Sequence, residues 1–197
     1  MKVYDRGYFD RWYRSAGAVV HPEAVLRKVR LALAAAEYVL RRPVRSVLDV
    51  GCGEAPWRAP LRRLRPGLRY VGVDSSDYVI RRYGRRRGIR YGTLGDLDAL
   101  GLRRPFDLVV CADVLEYVPT AEVSAGLRHM CRLAGGIAYI EAFASTDDMI
   151  GDREQWHHRS ARVYRELFRD AGLVSCGLHC YVARERAHLV SAMERCE

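Results

Sequence analysis

One stretch of this sequence has the residue types and spacing to hold a small ligand: Val47-Leu48-Asp49-Val50-Gly51-Cys52-Gly53-Glu54-Ala55-Pro56-Trp57. An apolar run carrying one carboxylate gives way to a glycine turn, and Pro56 suits the first position of a following helix. Gly51 and Gly53, on either side of Cys52, lack a Cβ, so the chain can turn sharply there and a ligand can approach the backbone. A dinucleotide fingerprint would place glycine where Pro56 stands, and the lysine of a P-loop is absent. The turn is therefore not built around a pyrophosphate, which leaves a nucleoside that lacks one.

Two further acids follow in step. Asp74, with Ser75 after it, ends the apolar run Arg69 to Asp74, roughly 20 residues past the glycines, where a carboxylate can accept both ribose hydroxyls. Gly95-Asp96-Leu97 follows the next short apolar run; there Asp96 can accept an adenine amino group while Leu97 offers its backbone N–H to the ring. Any one of these acids alone would suit a turn or a helix cap. Three at the carboxyl ends of neighbouring strands describe a binding edge of an open α/β sheet.

The elements that must position them can be read from periodicity. Val25, Leu26, Val29, Leu33, Ala36 and Leu40 recur at helical spacing and stop before Pro43. Val123, Leu127, Met130, Cys131 and Ala134 form a second stripe, opened by Thr120 after Pro119 and closed by Gly135-Gly136. Val163, Tyr164, Leu167, Phe168 and Ala171 form a third, with Ser160 as N-cap and Gly172 beyond its end. Shorter helices are predicted from Pro56 to about Leu64 and from Ser76 to about Arg87. Between them, Ser46–Val50, Arg69–Asp74, Ile89–Tyr91, Phe106–Ala112 and Ile137–Phe143 read as strands, with one more from Leu173 to Tyr181. Strand and helix alternate, which predicts an α/β fold: a mostly parallel sheet of six or seven strands, Rossmann-like, with helices on both faces. The usual last strand is expected to be short or missing, and a helix is placed over Ala187–Cys196. We expect one domain over 1–197, divided into an N-terminal helical cap (1–42), a core (43–184) and a tail (185–197).

With these residues in view, the sequence resembles the class I S-adenosylmethionine-dependent methyltransferases, in the small single-domain bacterial form. VLDVGCGEAPW resembles their first motif, YVGVDSS their acidic ribose-binding strand end, GDLDAL their adenine-side segment and FDLVVCADVLEYVP their fourth-strand motif. The resemblance runs over residues 45–142, and Ala55 stands where the family has its third glycine. It implies the cofactor S-adenosyl-L-methionine, with S-adenosyl-L-homocysteine as product. Asp49 would face the methionine amino group, and Gly51, Cys52 and Gly53 would line its backbone. Asp113 to Glu116 would border the sulfonium and the acceptor pocket. Tyr13 and Arg14, in an N-terminal segment like those that fold over the cofactor in small relatives, would reach the methionine carboxylate. Methyl transfer is an in-line displacement, so alignment and exclusion of water carry most of the work; a base is needed only where the acceptor must lose a proton.

Two segments remain to cover an acceptor. Tyr8 and Trp12 lie in the aromatic N-terminal segment, and Tyr117 follows the fourth strand. The loop from Ala144 to Arg159 offers Trp156 as an aromatic wall and His157 or His158 as base, only one of which can point inward if they lie on a helix. Glu141, late in the fifth strand, is a third candidate. No metal is expected, since Asp147-Asp148 lacks a matching ligand set.

Composition sets limits on the rest. Lys and Arg together number 33 against 24 acids, a net charge of +9, and Lys2 and Lys28 are the only lysines. The run Arg81-Arg82-Tyr83-Gly84-Arg85-Arg86-Arg87 reads as a solvated helix face, with RNA or an acidic carrier protein as alternative partners. No run reaches the roughly 18–20 apolar residues of a membrane helix, and the charged N-terminus lacks a signal-peptide core, so a cytoplasmic monomer or homodimer is expected. Cys52, Cys111 and Cys131 sit in apolar patterns as core residues. Cys176 and Cys180 flank His179, but in a continuous strand His179 would point away from both sulfurs, so reduced thiols are expected. The function expected is methyl transfer to oxygen, or nitrogen, of a small molecule, in specialised metabolism. The alternatives are an RNA methyltransferase, although Asp113-Val114-Leu115-Glu116 is not an Asn/Asp-Pro-Pro-Tyr motif, and a non-catalytic cofactor-binding domain.

Overall fold

The buried apolar runs and amphipathic stretches fold as anticipated, in a computed structural model that describes residues 2–15, 18–102, 105–148 and 151–195. Strands β1 (Ser46–Val50), β2 (Arg69–Asp74), β3 (Ile89–Tyr91), β4 (Phe106–Ala112) and β5 (Ala134–Glu141) are parallel. Strands β6 (Leu173–Ser175) and β7 (Cys180–Ala183) pair antiparallel, and β7 also pairs antiparallel with β5. The order across the sheet is β3-β2-β1-β4-β5-β7-β6. The α-helices among the described residues are α1 (Arg6–Arg14), α2 (Pro22–Leu40), α3 (Arg58–Leu64), α4 (Asp77–Arg87), α5 (Thr120–Leu133) and α6 (Ala161–Asp170).

Alternation along the central strands splits the core in two. Val47 and Leu108 join Val29, Leu33, Leu61 and Val79 on the side of α2, α3 and α4. Leu48 and Val109 join Leu127, Met130 and Phe168 on the side of α5 and α6. Because side chains two apart share a face, Asp49 falls on the α2 side with Val47. Local chemistry sets the helix ends. The Ser76 and Ser160 hydroxyls accept the N–H of Val79 and Val163, and Gly88 takes the left-handed conformation after α4.

Three expectations need correction. Leu173 to Tyr181 is not one strand; the chain turns at 176–179 with Gly177, Leu178 and His179 all at positive φ, making the β6–β7 hairpin. The last strand is thus present and, as expected, short, at four residues. Gly135-Gly136 do not close the second long helix; α5 ends at Leu133 and β5 begins at Ala134, and a Cβ on Gly136 would collide with the Asp107 carbonyl and press on Leu40. The tail over Ala187–Cys196 holds only short 3-10 turns, Arg184–Leu189 and Ala192–Glu194, with Cys196 outside the described residues. Among the described residues no helix is long and apolar enough to cross a membrane.

Candidate active site

The strand order reverses between β1 and β4, and the crevice beyond their carboxyl ends is where open α/β sheets bind ligands. A cleft of about 230 Å³ opens there. Its floor is Asp49, Gly51 and Cys52 from β1 and its turn, with Ala112 and Asp113 from β4. Its cover comes from α1 (Tyr8, Trp12, Tyr13), the start of α2 (His21, Lys28) and the 3-10 turn Leu115–Tyr117.

The glycine loop has the geometry its residues suggested. Gly51, Gly53 and Ala55 all have left-handed φ, at 68°, 51° and 60°. A Cβ on Gly51 would collide with Val114, and one on Gly53 with the Tyr13 hydroxyl, so both positions need glycine for contact as well as conformation. Ala55 is buried and bears the cost of that φ, about 1 kcal/mol. Ala55→Gly is therefore expected to raise the unfolding midpoint by about 2–4 °C, measured by scanning calorimetry; an unchanged or lowered midpoint would refute the strain.

Asp74 ties this loop to α4. One carboxylate oxygen accepts the Gly53 N–H at 2.7 Å and the other accepts the Ser76 N–H at 2.9 Å. Asp49 is only 3% exposed and accepts the Tyr70 hydroxyl at 2.7 Å. Burial pushes its pKa up to about 7, against the lowering effect of that hydrogen bond and with help from the Asp74 charge. Burial likewise raises Glu116 to about 8, against the lowering effect of its own backbone N–H and of Arg159, with Asp113 and Glu141 adding to the rise. Both carboxyls thus hold protons in the folded state that the unfolded chain has already lost. Their contribution is complete below the unfolded carboxylate range and fades as pH climbs through about 7 to 8. The unfolding midpoint is expected to drop by a few degrees between pH 5 and pH 8.5, and Asp49→Asn to flatten that drop; an equally steep profile in the variant would show that Asp49 is not its source.

The two covering segments meet. The Lys2 ammonium pairs with Asp152 and lies 3.9 Å from the centre of the Tyr117 ring, with Tyr4 and Tyr8 each at 5.3 Å. The Tyr117 hydroxyl donates to the Asp152 carbonyl at 2.7 Å. N-terminal segment and β5–α6 loop are clasped over the cleft through one buried lysine.

Of the residues named from sequence, Tyr8, Trp12, Tyr13, Asp49, Gly51, Cys52, Asp113 and Tyr117 come together on the cleft walls. Gly53 and Asp74 stand immediately behind the loop. Ser75 is exposed, and Asp96 is exposed with its carboxylate accepting the Thr93 hydroxyl at 2.8 Å. Leu97 is core, at 1% exposure. Arg14 spends its guanidinium on Asp10 and Glu54. Glu141 is bound by the Lys28 ammonium, which also lies 3.6 Å from Asp113.

The histidine expectation does not survive. His157 and His158 are exposed and absent from the cleft walls. The Trp156 ring packs 4.2 Å from His158, away from those walls. The backbone explains why: the His157 N–H donates to the Glu116 carbonyl at 2.7 Å, and the guanidinium of Arg159 donates to the Leu115 carbonyl at 2.8 Å, the Val118 carbonyl at 2.5 Å and the Thr120 hydroxyl at 3.1 Å. The segment straps the 115–118 turn instead of presenting a base. Lys2, Lys28, Tyr70 and Arg159 were not singled out from sequence; the rarity of lysine among so many arginines was the available signal for two of them.

Comparison with known proteins agrees with this geometry. A family model described as "Methyltransferase domain" matches residues 19–186. Magnesium protoporphyrin IX methyltransferase from Synechocystis PCC 6803, with bound SAH, superimposes with a TM-score of 0.64 at 22% identity, over 87% of each chain. DesVI of Streptomyces venezuelae gives 0.62 at 15% identity, over 89% of this chain and 95% of its own. The sugar N-methyltransferase KedS8 from Streptoalloteichus sp ATCC 53650 gives 0.51 at 27% identity, over 77% of this chain and 58% of its own. No curated protein sequence matched. With most of its length matched and its sheet ending in this acid-and-glycine cleft, the chain belongs to the methyltransferase-domain family, the class I, S-adenosylmethionine-dependent type.

Proposed function

We propose that this chain transfers a methyl group from S-adenosyl-L-methionine to an oxygen or nitrogen of a small molecule held in the β1–β4 cleft. One observation carries the reading: a buried carboxylate, Asp49, and a glycine turn share a small covered cleft with six aromatic side chains from several elements, Tyr8, Trp12, Tyr13, Trp57, Tyr117 and Phe143. The residues fit the methyl donor. Asp49, crowded by burial, gains from a nearby ammonium, and Gly51 leaves no side chain between the loop and the cleft. The donor supplies an activated methyl and leaves as a neutral thioether. The chain's own groups bind, orient and exclude water.

The exposed Arg81, Arg82, Arg85 and Arg86 on α4 support the second reading, RNA. Against it, the cleft is walled by four acidic side chains, Asp49, Asp113, Glu116 and Asp152, and by a single lysine, Lys28, already shared by two acids, so it offers a phosphate no cationic cradle.

The test is calorimetric titration with S-adenosylhomocysteine, followed by incubation with isotopically labelled methyl donor and an acceptor panel of small amines, small alcohols, phenols and RNA. Binding with label in small molecules supports the reading. Label confined to RNA replaces it with the second, and binding without any transfer leaves a cofactor-binding domain.

A further inference from the structure

The charges at the cleft run against those of the whole molecule. The chain carries a net +9, yet Asp49, Asp113, Glu116 and Asp152 face Lys28 as the one lysine or arginine on the walls. Most of these acids have a local partner. Asp152 is paired with Lys2, and Lys28 is shared between Glu141 and Asp113. Asp49 accepts the Tyr70 hydroxyl.

Glu116 differs. It is 0% exposed, and apart from its own backbone N–H no group among the described residues donates a hydrogen bond to its carboxylate oxygens. A buried acceptor left unpaired is costly and calls for an explanation. Nearby Arg159 cannot supply one, because its guanidinium is committed to the Leu115 and Val118 carbonyls and the Thr120 hydroxyl. The strap holds the turn that carries Glu116 while leaving its carboxyl unengaged.

We infer that the methyl acceptor is a small primary or secondary amine and that Glu116 takes its proton. This rests on the methyltransferase reading above and narrows it. An ammonium entering a cleft walled by four acidic side chains is attracted, most strongly above about pH 8, where Asp49 and Glu116 are ionised as well as Asp113 and Asp152. An alcohol or phenol must instead develop negative charge on oxygen among those same carboxylates, with Lys28 already shared by two acids. In the reaction, which needs Glu116 ionised and so runs above about pH 8, the ammonium gives one proton to the Glu116 carboxylate. The freed nitrogen lone pair forms a bond to the methyl carbon while the carbon–sulfur bond breaks, its electron pair passing to sulfur. The products are the N-methylammonium and S-adenosylhomocysteine, and Glu116 returns its proton to solvent. The environment suits such an exchange: burial, Asp113 and Glu141 make this carboxyl more basic than an exposed one, which brings it closer to an amine in proton affinity.

The inference is tested at pH 8.5, where Glu116 is ionised, on the full chain saturated with S-adenosylhomocysteine, by calorimetric titration with benzylamine and cyclohexylamine beside benzyl alcohol and cyclohexanol. At least one amine is expected to bind about tenfold or more tighter than its alcohol. In Glu116→Gln, which keeps shape and removes the proton acceptor, that preference should shrink to about twofold with S-adenosylhomocysteine affinity retained. Alcohols binding as well as both amines, or a preference that survives in Glu116→Gln, overturns the inference and leaves the methyltransferase reading standing. Failure of the wild-type chain to bind S-adenosylhomocysteine overturns both. The wild-type preference decides the matter if the variant does not fold.

Discussion

Asp74→Ala is expected to weaken S-adenosylhomocysteine binding about a hundredfold, or roughly 2.7 kcal/mol. The side chain has two duties at once. Its oxygens accept the N–H groups of Gly53 and Ser76, so it fixes the glycine loop against the start of α4, and each carboxylate oxygen keeps a lone pair for a ribose hydroxyl. Hydrogen bonds to a charged group are worth about 1.5–3 kcal/mol apiece, and under the proposed reading truncation would remove the ribose contacts while freeing the loop. Asp74→Asn keeps one acceptor oxygen and should fall in between, near tenfold. Calorimetric titration reads both numbers. An alanine variant within about threefold of wild type would remove Asp74 from the binding site and leave it a structural tie.

Arg159→Ala should lower stability by about 3 kcal/mol, a fall of roughly 6–12 °C in the unfolding midpoint for a domain this size. The residue is 6% exposed and its guanidinium serves three oxygens across the 115–120 segment. Removing it strands the Val118 carbonyl and leaves the Leu115 carbonyl with only the Val118 N–H, at 3.3 Å. Arg159→Lys should recover little, because a point charge on a flexible stem cannot reproduce a planar fork. The midpoint is read by scanning calorimetry, and a loss under about 3 °C would mean that the loop, not the fork, holds the turn. Because that turn carries Glu116 and Tyr117, loss of the strap should also reduce binding at the cleft.

The parallel half of the sheet was legible because each of its parts is local. Strands buried on both faces read as short apolar runs, and the intervening helices read as stripes, α4 and α6 with serine at one end and glycine beyond the other. The floor of the cleft followed, since Asp49, Gly51 and Cys52 are placed by one strand and its turn. What escaped was set by distance along the chain. Nothing around Lys2 announces Asp152, nor does anything around Lys28 announce Glu141. His157 and His158 look like chemistry in isolation, but their segment is directed by an arginine two positions on, whose partners lie near residue 118. Asp96 fell outside the walls because Thr93 offers it a nearer donor. The β6–β7 hairpin was missed because a continuous apolar run hid its turn, in which the left-handed positions include Leu178 and His179 as well as the expected glycine.

Arginine supplies nearly all the positive charge in this protein, and the two exceptions both sit at the mouth of the cleft: Lys2, 4% exposed under the clasp, and Lys28, 30% exposed between two acids. Guanidinium groups ignore acylating reagents and reductive alkylation at ordinary pH, whereas lysine amines do not. Side-chain labelling of the native protein would therefore write on the entrance and almost nowhere else. The rate at which Lys2 takes up a tag becomes a built-in clock for opening of the cover, readable by mass without any engineered reporter.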